Sequence, residues 1–86
     1  MTRWLHLARS VPDAWVDGLI RRQAAAGAPP TVVLLDPAPG DAWTAPPGVL
    51  VCVCVDPGRV GVPPGEPVDE AGIVALLEAH DRAAVW

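Results

Sequence analysis

The sequence predicts a single small α/β domain over residues 1–86, three layers deep, with a mostly parallel sheet of four or five strands. Three observations carry this. The chain opens strand–helix–strand, its middle holds the apolar run Val49-Leu-Val-Cys-Val-Cys-Val55, and an amphipathic helix follows late. Strands alternating with helical patterns are the signature of βαβ units and a parallel sheet.

Trp4-Leu5-His6-Leu7 reads as the first strand. Ser10 is placed to cap the first helix, with Pro12 in its first turn and Asp13 completing a capping box. Trp15, Val16, Leu19, Ile20 and Ala24 recur at helical spacing, and Gly27 is placed to stop the helix. Thr31-Val-Val-Leu-Leu35 is a second buried strand, and a βαβ unit of this kind winds right-handed. Residues 36–48 carry four prolines and no periodicity, which reads as a long loop with room for one helical turn at Trp43.

The run from Val49 to Val55 is β-branched, too short for a helix and bracketed by Gly48 and Asp56-Pro57-Gly58. It reads as a fully buried third strand. Alternation puts Cys52 and Cys54 on one face and Val51, Val53 and Val55 on the other. Their Cα atoms would stand about 6.6 Å apart with parallel Cβ vectors, which disfavours a bridge between them. Asp56 to Pro67 is turn-rich. Asp69 then caps a last helix with Ile73, Val74, Leu76 and Leu77 as its buried stripe and Val68 stapling to Ile73. It fades at His80-Asp81-Arg82, and Ala83-Ala-Val-Trp86 reads as a short edge strand.

Composition narrows the function. Half of the residues are hydrophobic (51%) and 19% are charged, against about 25% charged in typical domains. A chain this short buries only about 60–65% of its unfolded surface. The apolar excess and four tryptophans therefore point to an oligomer. A net charge of −4 with only six arginines and no lysine argues against direct nucleic-acid or anionic-membrane binding. No stretch approaches the ~20 apolar residues of a membrane span. Two unbridged cysteines without an export signal place the chain in a reducing cytoplasm. No cofactor is expected: Cys-x-Cys with two distant histidines fits no standard zinc spacing, and no phosphate-cradling glycine loop follows a strand. Asp36 and Asp56, each before a proline, read as turn residues, and His80 as a cap on the last helix.

Three pieces of this layout, in order, resemble the DsrE/DsrF/DsrH superfamily, and within it the DsrH and TusB subunits. Leu5-His6-Leu7-Ala8-Arg9-Ser10 followed by Pro12 resembles the family's start. Val32-Val-Leu-Leu-Asp36 is similar to its second strand. Ile73-Val-Ala-Leu-Leu-Glu-Ala-His80-Asp81-Arg82 with Trp86 is similar to its final helix and closing Trp. Val53-Cys54-Val55, with Arg59 and Gly61 beyond, looks instead like the cysteine segment of the DsrE/TusD branch. The resemblance implies a flavodoxin-like α/β fold and homo- or hetero-oligomers with DsrE/DsrF-like subunits. It also implies a persulfide-carrying cysteine served by a sulfur-carrier protein, in tRNA thiolation or sulfur oxidation.

Sulfur transfer needs a thiolate, and a thiolate needs nearby positive charge or a helix N-terminus. Cys54 is the expected carrier. His6 and Arg9, with the start of the first helix, would support it if the third strand lay beside the first. The alternative keeps the fold but makes the cysteines small core residues in a non-catalytic scaffold or oligomerisation subunit.

Overall fold

In a computed structural model, described for residues 2–38, 40–54 and 65–86, five strands and two helices follow one another in the order β-α-β-β-β-α-β. They are β1 (Trp4–Ala8), α1 (Ala14–Ala25), β2 (Thr31–Leu34), β3 (Leu50–Val53), β4 (Glu66–Pro67), α2 (Glu70–Ala79) and β5 (Arg82–Val85). All four strand pairings are parallel, in the order β4-β3-β2-β1-β5. The α/β class and the parallel five-stranded sheet therefore agree with the expectation from sequence.

Each face of the sheet carries its own core. On one side Val16 and Ile20 of α1 bury Ala8, Val32, Leu34 and Val53. On the other, Ile73 and Leu76 of α2, with Val68, pack over Leu5, Val33 and Cys52. Val32, Val33 and Leu34 lose all solvent contact, because a parallel strand between two layers is covered on both faces. Full burial of such a side chain contributes about 1.5–3 kcal/mol.

Several boundaries differ from the sequence reading, each for a local reason. Asp13, not Ser10, caps α1, its carboxylate accepting from the Val16 amide at 2.9 Å. Pro12 holds Val11 out of the helical region, so the helix starts only beyond it. Ser10 instead donates to Asp41 at 2.5 Å. Gly27 ends the helix as expected, with φ +84°, the left-handed turn that glycine tolerates. In α2, Val74 and Leu77 are exposed; the sheet covers only the Ile73–Leu76 stripe. Trp15 is likewise exposed on α1, and Leu50 at the start of β3. The two-residue β4 lies in a stretch with no strand signal. Gly65 permits it, since a Cβ there would stand 2.6 Å from Val53 Cγ2. Val55 and residues 56–64 lie outside the described residues.

The described residues of 36–48 form no helix. Trp43 packs on the α1-side core and donates its indole N–H to Asp17 at 2.7 Å. Arg21 pairs with Asp17 at 2.9 Å and reaches the Thr44 carbonyl at 3.0 Å. The Arg21 bond, then the Trp43 bond, holds the Asp17 carboxyl below its usual range against the opposing cost of burial. Stability drawn from a depressed carboxyl is present above its unfolded pKa of 3.8 and is lost as pH falls through the lower folded value. Asp17→Asn should therefore lower stability near neutral pH by about 1 kcal/mol. The gap from wild type should close as urea titrations are carried down below pH 3.8.

Candidate functional site

The carboxyl ends of parallel strands are where α/β folds gather ligands and reactive groups, and two of the chain's three candidate residues, Arg9 and Cys54, sit at that edge. Register aligns Ala8, Leu34 and Val53 across β1, β2 and β3. The next row is Arg9, Leu35 and Cys54. Backbone bonds carry the sheet pattern through it: Leu35 N–H to Ala8 O at 2.8 Å and Cys54 N–H to Leu34 O at 2.9 Å. Arg9 and Cys54 are thus two strand spacings apart, about 10 Å between Cα atoms, with Leu35 between them.

The two thiols, both free, live in different surroundings. Cys52 is buried under α2 beside Leu5 and Val33. Burial, and then the charge of Glu66, push its thiol up. Cys54 lies one residue past β3 and is only half-buried. A thiol held protonated is a poor nucleophile, so Cys54 is the better placed for chemistry.

The third strand does not lie beside the first. β2 separates them, because the chain moves 1-2-3-4 in one direction and places β5 on the far side of β1. The expected grouping of His6 with Cys54 fails for that reason. His6 is 1% exposed and faces the α1 layer. Trp86 Nε1–H donates to its Nδ1 at 2.9 Å. An indole nitrogen only donates, so Nδ1 accepts, and the ring proton sits on Nε2, 2.7 Å from Gln23 Oε1. Trp4 and Trp86 stack on the ring at 6.1 and 6.0 Å. His6 thus ties β1, α1 and the end of β5 together. The start of α1 is also occupied, by Asp13.

A cavity of about 170 Å³ opens at the crevice between β1 and β5, walled by Arg9 to Asp13, Val16 and Trp86. That crevice is the switch point of the sheet, where chain progression reverses. Cys54 is not in it; Arg9 is the one residue that borders both the cavity and the Cys54 row.

His80 does what its position suggested. It caps α2, with Nδ1 2.7 Å from the Leu76 carbonyl and Nε2 2.9 Å from Thr31 Oγ1. Gln23 went unread in the sequence although a signal existed: a polar residue three after Ile20 on the buried stripe of α1. Among the described residues no cluster of His, Cys, Asp or Glu is arranged to hold a metal, and no helix is long and apolar enough to cross a membrane. Compared with known protein families, curated proteins and solved structures, the chain matches none.

Two outcomes follow. Iodoacetamide on the folded protein should modify Cys54 well before Cys52, read by peptide mass mapping. His6→Ala should cost about 2–3 kcal/mol in a urea titration, since it strands the Gln23 and Trp86 partners and opens a void.

Proposed function

We propose that this chain is a subunit of a sulfur-relay assembly that carries sulfane sulfur as a persulfide on Cys54. The observation that supports it is the half-buried Cys54 at the carboxyl edge of β3, in one row with the exposed Arg9 and set apart from the buried Cys52. In loading, the Cys54 thiolate attacks the outer sulfur of a donor persulfide R–S–SH. The inner S–S bond breaks, Cys54–S–SH forms and R–S⁻ leaves, so one sulfur moves without net oxidation. Transfer onward repeats the exchange with an acceptor thiol. Arg9, exposed in the same row two strand spacings away, is the cation proposed to draw in the anionic donor persulfide. The donor is a sulfur-carrier protein of a reducing cytoplasm, the partners are DsrE/DsrF-like subunits, and the sulfur goes toward tRNA thiolation or sulfur oxidation.

A second reading, a non-catalytic scaffold subunit, is favoured by a specific observation. His6 and the start of α1, the other groups able to lower a thiol pKa, are engaged elsewhere.

The two readings part in one experiment. Protein treated with glutathione persulfide and analysed intact by mass spectrometry should gain one sulfur, which Cys54→Ser should lose and Cys52→Ser should keep. Arg9→Gln should slow loading several-fold, with stability changed by less than about 0.5 kcal/mol. Equal loading of wild type and Cys54→Ser would leave the scaffold reading.

A further inference from the structure

The two edges of the sheet are built differently. β4 is two residues long and carries Pro67 beside the acidic Glu66, the short, proline-bearing form that discourages pairing with another strand. β5 has four residues, Arg-Ala-Ala-Val, and no proline. Among the described residues nothing pairs with its outer side.

Hydrogen bonding shows which groups face outward. Arg82 N–H donates to Arg3 O and Trp86 N–H to Leu7 O, so alternate residues 82, 84 and 86 turn their backbone toward β1. Ala83 and Val85 turn theirs to the open edge. The exposed apolar side chains gather along the same edge. Val85 is 74% exposed on the α2 face. Val74, at 53%, and Leu77 lie on the flank of α2 turned toward β5 by its right-handed winding antiparallel to the strands. On the other face Trp15, 63% exposed, meets Trp86 edge-on at 5.3 Å. Of the large apolar side chains exposed among the described residues, only Leu50 lies away from β5.

We propose that β5 is the docking edge for a second copy of this chain, paired antiparallel across a two-fold axis at Ala84 to give a continuous ten-stranded sheet. That register is self-complementary, as a two-fold interface requires. Ala83 of each copy exchanges two backbone hydrogen bonds with Val85 of the other, four in all. Ala84 meets its own symmetry mate, and its small side chain lets the strands approach. Arg82, which has no side-chain partner among the described residues, comes opposite Trp86 of the second copy, where a guanidinium stacks on an indole face. The exposed residues of α2 and Trp15 flank the junction on either side. The pairing stands apart from any chemistry at Cys54.

Sedimentation equilibrium at micromolar concentration tests it by mass alone. The wild type should run at twice its 9.0 kDa chain mass. Val85→Lys puts a charge on an exposed site of the edge, and Ala83→Pro removes an outward amide that β1 does not use. Each should raise the dissociation constant at least about tenfold with an unchanged far-ultraviolet spectrum. Should Ala83→Pro not fold, Val85→Lys decides alone. Leu50→Lys, on an exposed residue away from β5, should remain a dimer. A monomeric wild type, a dimer that survives Val85→Lys, or a dimer lost in Leu50→Lys would each overturn the proposal.

Discussion

The position of β5 and α1 around β1 depends on one buried imidazole. His6 sits where an aliphatic residue would serve the core as well, and burying its two ring nitrogens unpaired would cost several kcal/mol. Both are paired, and the pairing is directional. Trp86 can only donate, which makes Nδ1 an acceptor and leaves the proton on Nε2 for Gln23. A strand, a helix and the end of the edge strand are thereby referenced to one planar ring. The stacked indoles of Trp4 and Trp86 exclude water from it. Three of the four tryptophans, Trp15 included through Trp86, belong to this one assembly.

The opposite end of the α1 layer is held by a different device. A β-x-β crossover in a parallel sheet usually runs through a helix, yet the described residues between β2 and β3 make none. Trp43 fills part of the volume a helix would occupy. Its indole N–H, Arg21 and Asp17 form one hydrogen-bonded group, and Asp41 gathers Ser10 and the Ala38 amide at the mouth of the same loop. These two carboxylates, each with its titration shifted toward the ionised form, replace backbone regularity with side-chain anchoring.

What the sequence disclosed and what it hid divide along the range of the interactions involved. Local signals were readable: a short, largely apolar run gave β1, β-branched runs gave β2 and β3, Asp69 gave the start of α2, Gly27 the end of α1. Even the unequal burial of Cys52 and Cys54 followed from their places on one strand. Strand order was not readable, because no local feature of β3 says whether it lies beside β1 or β2. The fate of His6 went with it: its neighbours Gln23 and Trp86 are 17 and 80 residues away in the chain. β4 is too short to carry a pattern, and its edge position makes Pro67 acceptable where an inner strand would reject it.

The two helical layers differ in how firmly they are seated. α1 sends fully buried side chains into the core, whereas no residue of α2 is buried, and its hold on the sheet rests on the partly covered Ile73 and Leu76 with the Asp69 and His80 caps. Such an element is the natural candidate to detach while the remaining layers stay folded. Cys52 lies directly beneath it. The thiol is thereby a native reporter of subglobal opening: when reclosing outpaces labelling, the ratio of its labelling rate to that of a free thiol gives the equilibrium constant for lifting α2.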